Sequence, residues 1–254
     1  MTTTDIALPV GRIPRVGLGT WQLRGADARS AVVAALDVGY RHIDTATMYR
    51  NEAEIGAALV ESGVARQEVF LTTKIPAEGF SDARRVLDES LSALAVDAVD
   101  LWLAHWPPSD IVAAWQTMRG LRDEGLARAI GVSNYSPAQV DALIAATGEA
   151  PAVNQIRWSP SDFDRARLEH SHAAGVVLEG YRAFKSGALT DPVVEQIARS
   201  VGRTPAQVVL RWHIEHDVVV IPKSSQRERL ASNFDVFDFT LSADEVARID
   251  ALAH

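Results

Sequence analysis

Short apolar runs rich in β-branched residues alternate with amphipathic stretches along the whole chain. The runs occupy residues 16–19, 42–45, 69–74, 101–105, 129–133, 153–157, 176–181 and 218–223. Their spacing of roughly 20–40 residues matches the repeat of strand, crossover helix and next strand. The stretches between them carry helix signals. After Asp110, the residues Ile111, Trp115 and Met118 fall on one helical face. Ser136-Pro-Ala-Gln139, Thr204-Pro-Ala-Gln207 and Ser242-Ala-Asp-Glu245 read as capping boxes, with Leu241 placed to staple onto Val246. Gly125 and Gly175 sit where a closing left-handed residue is expected.

Eight such alternations predict an α/β fold, a closed eight-stranded parallel (β/α)8 TIM barrel. Residues 6–14 predict a hairpin ahead of the first barrel strand, and residues 234–252 an extra C-terminal helix with its lead-in. A doubly wound sheet is the alternative. It requires a glycine-rich turn after the first strand, and Gly17-Leu-Gly19-Thr-Trp-Gln lacks the third glycine. One domain over residues 1–254 is expected.

Composition narrows the function. With 47% hydrophobic and 23% charged residues in 254, the chain is globular and long enough to bury a core without staples. The absence of cysteine removes disulfides, thiolate zinc sites and cysteine nucleophiles. A net charge of −8 argues against nucleic acid or an anionic membrane as partner. No apolar run approaches a membrane span, and Met1-Thr-Thr-Thr-Asp5 does not read as an export signal, so a cytoplasmic protein is expected. His170-x-His172 and His213-x-x-His216 read as surface histidines rather than metal ligands. Against 22 arginines there are three lysines, Lys74, Lys185 and Lys223, and a compact ammonium that persists in such a chain marks a position to inspect.

In a barrel of this kind, chemistry gathers at the C-terminal ends of the strands. The runs end in Asp44-Thr45, Lys74, His105, Ser133-Asn134, Asn154-Gln155, Tyr181 and Lys223-Ser224-Ser225. Together they predict one lined site. Each also has a plain structural reading: Asp44 as a helix cap, His105 as a satisfied histidine beside Trp106-Pro-Pro, Ser133 and Asn134 as caps for the helix near Ser136. Lys74 is harder to place that way. Closing an apolar run, it must reach solvent or pair with a charge, and Asp44 one strand over is available.

The stretch Gly39-Tyr-Arg-His-Ile-Asp44-Thr-Ala-Thr-Met-Tyr49-Arg-Asn-Glu-Ala-Glu-Ile-Gly56 closely resembles the first signature of the aldo-keto reductases. Leu71-Thr-Thr-Lys74, Leu101-Trp-Leu-Ala-His105-Trp-Pro, Gly131-Val-Ser-Asn134, Val153-Asn-Gln155, Ile221-Pro-Lys-Ser224 and Arg229-Leu-Ala-Ser-Asn233 follow in that family's order. The resemblance covers nearly the whole chain. It implies reduction of aldehydes or ketones with NADPH, through a tetrad of Asp44, Tyr49, Lys74 and His105. The chemistry is coherent: Tyr49 gives the proton, Lys74 lowers its pKa, Asp44 holds Lys74, and a neutral His105 orients the carbonyl. It further implies that Ser133, Asn134 and Gln155 hold the carboxamide and that Tyr181 stacks on the nicotinamide. Lys223, Ser224, Ser225 and Arg229 would surround a 2′-phosphate, and Asn233 would contact adenine. Gly19, Thr20, Lys185 and Ile221 complete the expected cofactor contacts.

Three departures qualify the resemblance. Relatives commonly carry Tyr-Ser-Pro-Leu where this chain has Tyr181-Arg-Ala-Phe184-Lys185, which leaves two readings of Lys185, a contact to the pyrophosphate or a solvated loop lysine. Ser232 stands where many relatives have an acid near adenine. The sequence stops at His254, where relatives often continue in a tail over the pocket. An open pocket walled by Trp21, Met48 and Trp106 is therefore expected, with a small carbonyl compound as substrate and a monomer as the assembly. Two other classes share some of these residues: a Schiff-base aldolase using Lys74, and a nicotinamide-binding regulator without turnover. A short-chain dehydrogenase would need Tyr181-x-x-x-Lys185, but the glycine-rich turn it also needs is missing.

Overall fold

The computed structural model describes residues 4–253. Met1–Thr3 and His254, on which the readings of a missing export signal and a missing tail rest, lie outside the described residues. Strands and helices alternate as the pattern predicts. A hairpin of β1 (Asp5–Ala7) and β2 (Arg12–Pro14) precedes β3 (Leu18–Gly19), α1 (Gly25–Val38), β4 (His42–Asp44), α2 (Glu52–Ser62), β5 (Phe70–Ile75) and α3 (Ala83–Leu94). Then come β6 (Val99–Ala104), α4 (Ile111–Asp123), β7 (Ala127–Ser133), α5 (Pro137–Thr147), β8 (Val153–Arg157) and α6 (Arg165–Ala173). β9 (Val177–Tyr181), α7 (Pro192–Val201), α8 (Pro205–Glu215), β10 (Val219–Val220), α9 (Arg227–Phe234) and α10 (Ala243–Asp250) complete the order.

Strands β3 to β10 form one sheet in sequence order, every pair parallel. That order never reverses, which rules out the doubly wound alternative. The sheet is strongly curled. Gln155 on β8 bonds Asp44 on β4 at 2.8 Å, although four strand spacings of a flat sheet would separate them by roughly 19 Å. The ends of the sheet also meet. Val16 bridges Val220, the Gly17 amide donates to the Val220 carbonyl at 2.9 Å, and the Val220 amide donates to Arg15 at 2.8 Å. Gly19 permits this approach, because a Cβ there would lie 2.7 Å from the Ile221 carbonyl oxygen. β10 is shorter than the predicted 218–223, since Pro222 has no N–H with which to continue the ladder.

One parity of the strands faces inward. The register links Gly19 to Asp44, Asp44 to Thr72, Thr72 to Leu101 and Leu101 to Ala129, and on the far side Ser133 to Gln155, Gln155 to Glu179 and Glu179 to Val219. Toward the strand starts this inner face is apolar. Leu101, Leu103, Ala129, Val153 and Val219 cluster there with Leu8 and Ile13 of the hairpin segment, which plugs that end. The other parity packs outward on the helices, as Trp102 does in a cluster with Trp115 and Met118. All three capping boxes form, and Gly125 and Gly175 close their helices at φ of 89° and 69°.

The predicted surface histidines need correction. His213 is fully buried, with its ring nitrogens 2.8 and 3.2 Å from the carbonyls of Val209 and Trp158. His216 is mostly buried and lies 2.7 Å from Asp250. α8 turns both toward the core because it is packed nearly all round, against α7, α9, α10 and β10. His172 on α6 is exposed, and His170, partly buried, reaches Asp141. No helix among the described residues is long and apolar enough to cross a membrane.

Candidate active site

The inward parity turns polar toward the C-terminal ends of the strands. Lys74 is completely buried, and its Nζ lies 2.7 Å from both Asp44 oxygens and 2.7 Å from the Thr45 carbonyl. Its remaining neighbour is the Tyr49 hydroxyl, at 3.5 Å. Burial pulls the Lys74 amine down, but Asp44 and Tyr49 more than offset this, so it stays charged above its ordinary range. Burial pushes Asp44 up against the charge of Lys74; with Lys74 and Gln155 both donating to it, it is held as carboxylate.

Tyr49 ends a 3-10 turn, Thr47–Tyr49, that follows β4. Buried Asn51 anchors the turn by donating to the Thr20 and Leu23 carbonyls and accepting from Thr45 Oγ1. Thr47 Oγ1 donates to the Lys74 carbonyl. The expected lowering of the Tyr49 pKa is outweighed. Lys74 does pull it down, but burial, the larger effect, leaves it raised above its ordinary value. The phenol therefore keeps its proton at neutral pH. Since Lys74 donates to its oxygen, that proton points away from Lys74. His105, just past β6, places its ring 5.7 Å from the Tyr49 ring. Burial, then the charge of Lys74, pushes His105 down to about 3, so the imidazole is neutral.

These groups open onto a cavity of about 630 Å³. Asp44, Tyr49, His105, Gly19, Ser133, Asn134, Gln155, Tyr181, Lys185, Ile221 and Lys223 all line it, together with Trp21, Met48 and Trp106. Those last three are about half exposed, at 46%, 52% and 50%, although most large apolar side chains are buried. Thr20 is buried behind the wall, its hydroxyl donating to the Asp44 carbonyl. Ser224 is buried and caps Gln226; Ser225 and Arg229, which follow Lys223 in the chain, are exposed and outside the cavity lining, and Asn233 is buried on α9. Arg182 holds the left-handed region at φ 59° and lies 5.4 Å over the Trp21 ring. Tyr181 ends a strand and Lys185 lies in the loop after it, so the pair does not share a helical face.

Sequence reading missed Glu179. It stands fully buried two residues before Tyr181, on the same parity, and takes a hydrogen bond of 3.0 Å from Gln155. An acid inside the apolar run Val176-Val-Leu-Glu-Gly-Tyr181 was the available signal.

The residues present fit a phosphorylated nicotinamide cofactor. Lys185, Lys223 and Arg229 make no ion pair with the described residues, although most acids of this acidic chain are paired. Gln155 spends both amide protons on the carboxyl groups of Asp44 and Glu179, and nothing among the described residues donates to its Oε1.

Comparison with known proteins agrees with this geometry. The model of the Aldo/keto reductase family matches residues 15–254. An aldo-keto reductase of Mycolicibacterium smegmatis is 46% identical over 94% of this chain and 90% of its own length. The morphine 6-dehydrogenase of Pseudomonas putida is 43% identical, covering 95% and 88%. A methylglyoxal reductase of Salmonella typhimurium is 40% identical, covering 98% and 93%. The crystal structure of an aldo/keto reductase from Brucella melitensis superposes with a TM-score of 0.92 at 39% identity over 98% of both chains. The chain belongs to the aldo-keto reductase family, oxidoreductases acting on carbonyl and alcohol groups.

Proposed function

We propose that this protein reduces small aldehydes and ketones with NADPH, in one domain whose sheet closes into a barrel at the Val16–Val220 bridge. The observation that carries the reading is Lys74, locked between Asp44 and the Tyr49 hydroxyl at the cavity wall. When bound, the reduced nicotinamide supplies the hydride. Tyr49 supplies the proton: its hydroxyl hydrogen is free to point into the cavity, and the adjacent ammonium stabilises the phenolate left behind. Neutral His105 donates to the carbonyl oxygen and orients it, so that with Tyr49 it forms a two-donor oxyanion site.

The charged end of the cavity takes the phosphates. Lys185 suits the pyrophosphate, and Lys223 with Arg229 and Ser225 suits a 2′-phosphate, the group that distinguishes NADPH from NADH. Ser133, Asn134 and Gln155 hold the carboxamide, and Tyr181 stacks on the ring. The substrate meets Trp21, Met48 and Trp106, apolar walls that suit the compact carbonyl named in the methylglyoxal reductase relative. A Schiff-base role for Lys74 is disfavoured by its geometry, because that amine would have to be neutral and reachable.

The test is the loss of reduced-nicotinamide absorbance with aldehydes, diketones and keto esters, using NADPH and NADH in parallel. Turnover with NADPH should fall by about 100-fold or more in Tyr49→Phe, while the variant still binds NADPH with near wild-type affinity. A variant as active as wild type, or NADPH binding without any turnover, would sink the reading.

A further inference from the structure

Glu179 is the buried acid for which the reaction has no evident use. Fully buried, it faces Asp44 and His42 from β4, Lys74 from β5 and Gln155 from β8. Oε2 accepts from Gln155 at 3.0 Å, while Oε1 has no hydrogen-bond partner and lies 3.5 Å from His42 Nε2. Gln155 donates its second amide proton to Asp44 at 2.8 Å.

These contacts determine which way round the Gln155 amide sits. Turned over, its carbonyl oxygen would face the Asp44 carboxylate at hydrogen-bond distance, which is repulsive in a buried site. With Nε2 held by two acids, Oε1 is directed away from them, and Gln155 lines the cavity. The neighbouring acceptor is already engaged, since Asn134 Oδ1 takes the Tyr181 hydroxyl at 2.8 Å. Ser133 Oγ donates to the Gln155 backbone carbonyl and Asn134 Nδ2 to the His105 carbonyl and Ser133 Oγ, so among these three side chains Gln155 Oε1 is the open acceptor, and it selects an N–H group.

We propose that Glu179 is a positioning residue for the cofactor: with Asp44 it locks the Gln155 amide so that Oε1 accepts from the nicotinamide carboxamide N–H. This inference rests on the nicotinamide reading above. Burial and the nearby Asp44 charge raise the Glu179 carboxyl to about 8, so near neutrality it is a neutral acid. One oxygen then remains an acceptor for Gln155, and the other carries its proton toward His42. His42 is itself kept neutral by burial.

The experiment measures binding by tryptophan quenching for NADP+ and for its 3-acetylpyridine analogue, which lacks the carboxamide N–H. Glu179→Leu should weaken NADP+ roughly threefold to tenfold, the worth of one such hydrogen bond, and leave the analogue within about twofold. Glu179→Gln, which is isosteric with the neutral acid and keeps an acceptor oxygen, should restore NADP+ binding to near wild type. Glu179→Met takes the place of E179L should that variant fail to fold by circular dichroism. Equal weakening of both ligands would make Glu179 a merely structural residue and overturn the proposal, as would no change in either. Wild-type protein that binds no NADP+ at all would instead sink the nicotinamide reading on which it rests.

Discussion

Lys74 shows how much one side chain carries. Its ammonium satisfies Asp44, the Thr45 carbonyl and Tyr49 at once from a fully buried position. Lys74→Met keeps the stem and deletes the charge, which leaves Asp44 buried without a counter-ion. Breaking such a pair costs about 3–5 kcal/mol. Chemical denaturation should register that loss, and a pre-steady-state measurement should show the reductive step slowed by about 100-fold or more as phenolate stabilisation goes. Wild-type stability in the variant would mean that Asp44 is held some other way. The pair was legible in the sequence because a lysine ending an apolar run must be partnered, and the only nearby acid on the neighbouring run is Asp44. Glu179 escaped because the polar positions were sought at the strand ends, whereas it lies inside its apolar run, and a closed barrel predicted without its register does not say which side chains meet across the interior.

At the scale of elements, the strands and caps follow from local physics. Alternating parity, capping boxes and closing glycines each act over a few residues, and each formed where the pattern put it. Position β10 was less legible, since Pro222 truncates a run whose hydropathy continues to Ile221. The segment after β10 carries the next prediction. Lys223 precedes α9 and Arg229 lies in its first turn, both exposed and free of ion pairs. Replacing both with alanine should raise the NADPH dissociation constant roughly tenfold or more, since each loses a charge-assisted hydrogen bond. NADH affinity should hardly move. The ratio of the two constants, measured by fluorescence titration, is the readout, and an equal loss for both cofactors would count against a 2′-phosphate site. His213 illustrates the opposite error. A histidine on a helix reads as a surface residue unless the helix is packed nearly all round, and that depends on the whole assembly.

For the molecule as a whole, curling the sheet has an electrostatic consequence. Burial sets the charge state of four groups whose ordinary values lie in the acid-to-neutral range. His42 and His105 are pushed down to about 3, His213 to about 4, and Glu179 is pushed up to about 8. For the histidines the unfolded chain binds protons first, from an ordinary pKa of about 6.5. Their contribution to stability is complete above that value and is lost as pH falls toward 4. Glu179 works the other way. The folded state holds its proton longer, so stability is complete below about 4.5 and declines as pH rises through 8. Between pH 4.5 and 6.5 three histidines oppose one acid, and stability rises with pH. From 6.5 to 8 Glu179 alone of the four is still changing, at up to about 1.4 kcal/mol per pH unit. A melting temperature highest near pH 6.5 is therefore expected, falling by several degrees toward pH 8. Glu179→Gln cannot ionise, and its profile should stay flat over that alkaline range while keeping the acid fall. An E179Q profile that declines in parallel with wild type would mean that Glu179 already carries its charge in the folded protein.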